Sequence, residues 1–280
     1  MQTEFRLPEW DAFAAMDEDA IPLFAGALRV AQDEYPQLQP EAYQTRMLAY
    51  AAQLQQRLMD VHDVKLRLRA LNAFLFDELG FAGDDADYYD PRNSYLNEVL
   101  DRRLGNPVSL AIVQIELARH VGLSLQGVSF PGHFLVQMRR PDGVLVLDPF
   151  NSGRPLQMHD LRQRAQPQMR GELDDDMLLD LLRPASSGAI LIRVLRNLLG
   201  IYTERGDWER TARCADRVLK LAPDNSDALR ERGLAYLQLG HRHGAHDDLI
   251  RYLRQNPDAP DAFVLRERMI DAGASPRRAH

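Results

Sequence analysis

The spacing of apolar residues predicts helices over about the first eighty residues. A helix start is indicated at Leu7–Trp10, and further helices are predicted over 21–31 and 40–59. Between Val64 and Leu79, apolar residues recur at the three- and four-residue intervals of one helix face. Gly80 then suits the position that follows a helix C-terminus. The first part of the chain is therefore predicted to be helical.

The next long helix is predicted to be buried on almost every side. It follows a loop over 87–94 and a short helix over 95–104, which Gly105 ends. Asn106 is a favoured N-cap residue and Pro107 a favoured first helical residue, so the pair predicts a helix start. Nearly every later position is apolar, namely Leu110, Ala111, Ile112, Val113, Ile115, Leu117, Ala118 and Val121. A helix that is apolar on most faces belongs in the interior.

Short β-strands are predicted after this helix. Strand-like apolar segments cover 125–130, 134–138 and 144–147. The turn Pro141-Asp142-Gly143 separates the last two segments and predicts a hairpin. Helical patterning returns after Gln157.

The last hundred residues or so repeat with a period of 34. A shift of that length matches four pairs: Tyr202 with Tyr236, Gly206 with Gly240, Leu219 with Leu253, and Pro223 with Pro257. A repeat of 34 residues with two helices in each unit is typical of tetratricopeptide repeats. Two full repeats and one closing helix are predicted. No strongly charged inner groove is evident from the sequence.

These patterns predict a mostly helical α+β fold with a small antiparallel sheet and C-terminal helical repeats. A chain of 280 residues is long enough for two domains. We place the first domain at 1–182, with its core at about 40–170, and the repeat domain at 186–280.

Composition narrows the class of protein. The net charge of −7 gives no basic footprint for nucleic acid. No apolar run reaches the ~20 residues that span a bilayer, and the N-terminal residues lack a signal-peptide pattern. The single cysteine, Cys214, excludes an internal disulfide and fits a reducing cytoplasm, and we expect it to be core packing. We therefore expect a cytoplasmic protein without a cofactor, whose partner is another protein, bound through the repeats.

Three residues form a candidate catalytic site: Ser109, His133 and Asp148. Ser109 lies near the predicted start of the buried helix, and His133 and Asp148 lie on the two strands of the hairpin. This is the order of a Cys-His-Asp thiol enzyme, in which the helix N-terminus stabilises a thiolate, the His takes its proton and the acid orients the imidazole. Here a serine stands where the cysteine is expected.

The serine weakens the catalytic interpretation. A hydroxyl is far less acidic than a thiol, so a helix end cannot ionise it, and a serine enzyme needs a base within hydrogen-bond reach and an oxyanion hole. Serine near a helix start is also a common cap. Counting back from Gly122 could instead place the ancestral cysteine at Pro107 or Val108, which would leave no nucleophile.

Other polar residues have simpler interpretations. Asn93 and Asn97 flank the loop before the buried helix, and they could bind at an oxyanion position or tie down the loop. No acid or thiol near the three repeat histidines completes a metal site, so no metal is predicted at His241, His243 and His246. Three arginines are expected to form a solvated helix face, namely Arg162, Arg164 and Arg170.

Four segments, in this order, resemble the transglutaminase-core-like domain of bacterial SirB-type proteins. They are Asp90–Asn97, Arg103–Leu110, Gly127–Phe134 and Leu147–Asn151. With the repeats behind them, the resemblance covers roughly residues 40 to 270. It implies a papain-like α+β core followed by tetratricopeptide repeats, and it does not supply a known reaction. The chain departs from an active transglutaminase because the cysteine and the aromatic pair that follows the His are absent.

Three functions are consistent with these features. The chain could be a non-catalytic or weakly active scaffold that binds another protein through its repeats. It could be a hydrolase or acyltransferase on amide or ester bonds, with Ser109 as nucleophile, His133 as base and Asp148 as orienting acid. It could also be a structural partner whose ancestral site is only packed core. We favour the scaffold, and we expect His133 to lie within about 3.2 Å of Asp148 if either site hypothesis is to hold.

Overall fold

The computed structural model describes residues 7–141, 143–169 and 173–274. The chain divides into two compact units, Met1–Val194 and Leu195–His280. Among the described residues, no helix is both long and apolar enough to cross a membrane.

The first unit is built mainly from helices. They are α1 (Trp10–Ala14), α2 (Leu23–Glu34), α3 (Pro40–Arg57), α4 (Val64–Asn72), α5 (Leu96–Arg102), α6 (Pro107–His120), α7 (Met158–Ala165) and α8 (Asp175–Leu181). A π-helical segment, Ala73–Glu78, continues α4. The predicted helical segments are therefore present, with the last one divided into an α-helical and a π-helical part.

Helix α6 is the centre of the first unit, as its apolar sequence predicts. Helices α2, α3, α4 and α5 pack around it, together with two strands of an antiparallel sheet. Leu110, Val113 and Leu117 have no exposed surface. Each such fully buried side chain contributes about 1.5–3 kcal/mol through loss of apolar surface from water. The buried helix fixes the position of its N-terminus, where Ser109 lies.

Two sheets accompany the helices. A short parallel pair joins β1 (Ala82–Gly83) to β2 (Leu104–Gly105). The other sheet is antiparallel and contains, in spatial order, β3 (Gln126–Val128), β4 (Leu135–Arg140), β5 (Gly143–Asp148) and β6 (Arg154–Leu156). The predicted hairpin is β4–β5, and Asp142 of its turn lies outside the described residues. The sequence patterns did not predict β1, β2 or β6.

A second apolar core covers one face of the antiparallel sheet. Its sheet side includes Val128, Leu135 and Val146, and its helical side includes Leu161 and Leu178. Because Leu161 anchors α7 in this core, α7 lies beside the strands of the hairpin. This packing brings a side chain of α7 to the candidate site.

The repeats form the second unit. Helix α9 (Ser187–Glu204) spans the division between the units, and it is followed by α10 (Trp208–Leu221), α11 (Ser226–Gln238), α12 (Arg242–Gln255) and α13 (Ala262–Ala274). Gly206 and Gly240 have φ of 69° and 78°, the left-handed conformation that each interhelical turn requires. The α+β fold class is confirmed. The division lies inside α9, whereas the sequence placed the domain boundary at 182–186, ahead of this continuous helix.

Candidate functional site

His133 and Asp148 meet at one end of the β4–β5 hairpin. Val136 of β4 pairs with Leu147 of β5, so the start of one strand adjoins the end of the other. The Nε2 atom of His133 lies 2.8 Å from Oδ1 of Asp148. The expected distance is thus observed.

The sequence predicted that His133 lies on a strand of the hairpin. In the structure it lies in the turn that precedes β4. Its backbone N–H donates to the carbonyl of Phe130 at 3.1 Å, which closes a turn with Pro131 and Gly132 at its centre. Gly132 has a φ of 67°, and a type II turn needs such a residue at this position. The turn therefore fixes the backbone from which the imidazole reaches Asp148.

The Asp148 carboxylate is fully buried and accepts hydrogen bonds at both oxygens. Besides His133, Oδ1 accepts from the backbone N–H of Phe150 at 3.2 Å. Oδ2 accepts from Nδ2 of Asn151 at 2.7 Å and lies 2.8 Å from Nη2 of Arg164. Asp148 consequently serves both as the cap of the turn after β5 and as the partner of His133.

The Arg164 contact changes the electrostatics of the pair. The guanidinium places a permanent positive charge beside the Asp148 carboxylate. In a catalytic site, the same carboxylate would have to stabilise an imidazolium at His133. Burial acts to raise the pKa of Asp148, but the His133 hydrogen bond and charge, the Asn151 amide and the Arg164 charge outweigh it and hold the pKa below 3.8. The charged carboxylate therefore stabilises the fold above about pH 4, and this contribution is lost as the pH falls through the lowered pKa.

The expectation of a solvated arginine face is wrong for Arg164. Its side chain is 34% exposed, and its head group binds the buried Asp148. Arg162 forms an exposed ion pair with Asp175, in agreement with a surface position. Arg170 lies outside the described residues. Arg164 could have been suspected from its place three residues after Leu161, which puts it beside the buried stripe of α7.

Ser109 lies in the first turn of α6, where it completes a capping box. Its backbone N–H donates to Oδ1 of Asn106 at 3.0 Å, and its Oγ accepts from the Asn106 N–H at 3.1 Å. The hydroxyl also donates to the carbonyl of Asn93 at 2.6 Å. A Cβ at Gly105 would lie 2.6 Å from the Ser109 oxygen, so the glycine makes room for this close approach.

The structure does not bring Ser109 into the His133–Asp148 pair. Among the described residues, Ser109 Oγ has hydrogen bonds with Asn93 and Asn106, and His133 is not one of its partners. Its single proton is directed at a backbone carbonyl, which is not a base that can take it. This geometry argues against Ser109 as a nucleophile, and the alternative positions for an ancestral cysteine hold Pro107 and a buried Val108.

The two asparagines differ in their hydrogen bonds. Nδ2 of Asn93 donates to the carbonyl of Asp87 at 2.8 Å, and its Oδ1 accepts from Arg102 at 3.1 Å. Asn93 therefore ties down the loop before α5, which was one of its two predicted roles. Asn97 is buried in α5, and its Oδ1 has no hydrogen-bond partner in the part of the chain that the structure describes.

An aromatic cluster borders the His133 imidazole. The ring of Phe150 lies 6.2 Å from the imidazole and 5.7 Å from Tyr88, measured between centroids and with edge-to-face geometry. A Cβ at Gly83 would lie 2.6 Å from the Phe150 ring, so β1 passes directly against this ring. Burial raises the pKa of Tyr88, which keeps its hydroxyl protonated at neutral pH. Sequence reasoning assigned no role to these aromatic residues.

A groove in the repeats is a second candidate site. It has a volume of about 750 Å³ and is lined mainly by α9 and α11, with Tyr252 and the Pro260–Asp261 segment at its edge. Its lining contains four carboxylates and two arginines. The groove is therefore charged, contrary to the sequence expectation. Two ion pairs repeat with the 34-residue period: Arg196 with Asp227, and Arg230 with Asp261.

Of the three repeat histidines, His241 lies in the turn between α11 and α12, at the N-cap position of α12, and its side chain makes no capping hydrogen bond. His243 and His246 lie inside the first turns of α12. The His241 ring contacts Tyr236, with 5.7 Å between centroids, and His246 lies beside the exposed Asp247.

Comparison with known families agrees with the fold. The model of the transglutaminase-like superfamily matches residues 41–196, more than half of the chain. The chain belongs to this superfamily. A tetratricopeptide-repeat model matches residues 198–269, in agreement with helices α9–α13.

Relatives extend the match to nearly the whole chain. A UPF0162 protein of Xylella fastidiosa is 49% identical over 97% of both chains. UPF0162 protein YchA of Escherichia coli is 26% identical over 84% of both chains. F-box only protein 21 of Homo sapiens is 25% identical over 81% of this chain and 35% of its own length. The resemblance to SirB-type proteins is confirmed, and a transglutaminase-like domain followed by tetratricopeptide repeats supports a protein-interaction scaffold.

Proposed function

We propose that this chain is a non-catalytic scaffold that binds a partner protein through its repeats and retains the transglutaminase-like domain as a folded support. The observation that carries the proposal is the Ser109 hydroxyl, whose proton is donated to the Asn93 carbonyl at 2.6 Å. A serine nucleophile instead needs its proton directed at a general base.

Two further features support a loss of catalysis. Arg164 forms an ion pair with the Asp148 carboxylate, so His133 shares this carboxylate with a permanent cation. The first three positions of α6 hold Pro107, Val108 and Ser109, so no thiol lies at the helix start. A helix N-terminus favours a thiolate but does not by itself activate a hydroxyl.

One observation favours the alternative, a hydrolase or acyltransferase on amide or ester bonds. The 2.8 Å contact between His133 and Asp148 is the geometry in which an acid orients a catalytic imidazole. That function additionally requires Ser109 to leave its capping box and donate to His133.

A serine-directed fluorophosphonate probe separates the two functions. If the chain is a non-catalytic scaffold, the wild-type chain should be labelled no more than the Ser109→Ala variant. Denatured protein gives the background level of labelling. Labelling of the wild-type chain that disappears in both Ser109→Ala and His133→Gln would establish the alternative.

Partner binding is tested separately with a photo-crosslinking amino acid in the full-length chain. Placed at Thr203 in the repeat groove, it is expected to crosslink a discrete partner in cells, and the same crosslink should form in a His133→Gln background. The matched control position is Val64, which is 49% exposed on the first unit. Equal crosslinking from both positions would contradict a binding role for the repeats.

A further inference from the structure

The groove of the second unit has an acidic lining that its surroundings do not share. Its carboxylates are Glu204, Asp227, Glu231 and Asp261, and its only cations among the lining residues are Arg196 and Arg230. The repeat domain as a whole carries slightly more basic than acidic residues. The negative excess is therefore local to the groove.

The two arginines are already occupied. Arg196 pairs with Asp227, and Arg230 lies 2.5 Å from both Asp261 and Glu231. Burial acts to lower the pKa of the Arg230 guanidinium, but its carboxylate partners outweigh this and raise it, so the cation is permanent and neutralised by its neighbours. An incoming anion would have to compete with these carboxylates, which excludes the groove as a favourable anion site.

Glu204 supplies the free charge. It is exposed at the end of α9 and forms no ion pair among the described residues. Thr203, the residue before Glu204, and Gly200, one helical turn earlier, line the same groove. The Thr203 Oγ1 is buried and has no hydrogen-bond partner in the described chain, and a Cβ at Gly200 would meet no atom within 4 Å. The groove thus contains an unused polar group beside open space.

The lining of the groove also includes apolar side chains. Leu199, Val218 and Ala228 contribute to the lining. Lysine and arginine side chains complement such a surface. Each has an aliphatic stem that packs on apolar surface and a cationic head that can face a carboxylate. The volume of about 750 Å³ lies within the range of pockets that bind drug-sized ligands, which is ample for one long side chain.

We propose that this groove binds an extended segment of a partner protein through a lysine or arginine side chain, with the aliphatic stem over Leu199 and Ala228 and the cation facing Glu204 and Glu231. The proposal rests on the proposed function, because it assumes that the repeats bind protein. It adds the chemistry of the partner, a basic segment, which the repeat architecture alone does not specify.

Three fluorescein-labelled nonapeptides test this assignment with the full-length chain. They contain three Ala-Leu-Lys, Ala-Leu-Glu or Ala-Leu-Gln units, and binding is measured by fluorescence anisotropy. The lysine peptide is expected to bind at least about tenfold more tightly than the glutamate peptide, because only its charge complements the groove. Its affinity should fall as salt is raised from about 50 to about 300 mM, since exposed charges are screened.

Variants place the binding in the groove. Gly200→Leu fills the open space and should abolish binding, whereas Gly200→Ala should retain it, and both substitutions favour the helix. Glu204→Gln should weaken binding about two- to fivefold. The matched control is Asp247→Asn, which removes a carboxylate that is 81% exposed on α12 and is not part of the groove lining. It should leave binding unchanged.

The outcomes separate this proposal from the scaffold function. If the glutamate peptide binds more tightly and Gly200→Leu removes its binding, the groove remains a protein-binding site and the basic partner is wrong. If no peptide binds, or if binding is insensitive to Gly200→Leu, the proposed site is wrong. The crosslinking experiment at Thr203 then decides independently whether the repeats bind protein at all.

Discussion

Replacing Ser109 with alanine should destabilise the first unit, because the hydroxyl holds together the start of α6 and the loop before α5. The substitution removes the 2.6 Å bond to the Asn93 carbonyl and the 3.1 Å bond from the Asn106 N–H. These two partners remain hydrogen-bonded to each other at 3.2 Å, so neither is left without a bond. We therefore expect a loss of about 1–2 kcal/mol in the free energy of unfolding, near the net value of a capping hydrogen bond.

The positions of the two tryptophans allow the change in the free energy of unfolding to be measured for the first compact unit alone. Trp10 is buried in the first unit, and Trp208 begins α10 in the second. In a Trp208→Phe background, urea unfolding followed by fluorescence reports on Trp10. The control is Ser124→Ala, an exposed position that should change the free energy by less than about 0.5 kcal/mol.

A catalytic serine would behave differently. Residues held for catalysis are often neutral or unfavourable for stability, so their removal leaves the fold unchanged or more stable. An unchanged or higher free energy of unfolding in Ser109→Ala would refute the structural role derived from the capping box. Together with Ser109-dependent probe labelling, that result would refute the scaffold as well.

Three further perturbations test other parts of the structure. Asp148→Asn should lower the free energy of unfolding by about 2–4 kcal/mol at neutral pH, because it removes a buried carboxylate from its donors. Since the folded pKa of Asp148 lies below 3.8, the difference from wild type should shrink in urea titrations below about pH 4, and a constant difference would contradict the assignment. Gly132→Ala and Gly80→Ala should lower the melting temperature by similar amounts, because both positions have positive φ, with a strain of about 1–2 kcal/mol. The new Cβ at Gly132 would lie 1.9 Å from Gln168 Nε2, but this atom is the end of an exposed side chain that can move aside, and a much larger loss at Gly132 would contradict that. Gly200→Ala should stabilise the repeats by up to about 1 kcal/mol in thermal unfolding followed by circular dichroism, unless the space beside α9 is filled.

Local patterns were sufficient for much of the fold. The Asn106-Pro107 start and the apolar run of α6 predicted a buried helix, because capping and burial depend on residues close together in sequence. The hairpin order also predicted that His133 and Asp148 would meet, since antiparallel strands bring the start of one beside the end of the next. The strands β1, β2 and β6 are two or three residues long, too short for an alternating pattern to be recognised.

The candidate site was less predictable. Arg164 reaches Asp148 only because the apolar core under the sheet holds α7 beside the hairpin. Glu204 and Glu231 share a groove because residues of α9 and α11 line it together, and the two residues do not occupy equivalent positions of the repeat. Such contacts join side chains that are distant in sequence, so they cannot be predicted from the periodicity of apolar residues.

The sequence by itself determined the order of the elements, the burial of α6, the repeats and the three residues of the candidate triad. Only the tertiary structure decided which contacts those residues make. The sequence leaves open whether the Ser109 hydroxyl meets His133 or a backbone carbonyl, and the loop held by Asn93 places the Asn93 carbonyl 2.6 Å from that hydroxyl. A hydrogen bond forms with the nearest acceptor that packing supplies, and packing is a property of the whole fold.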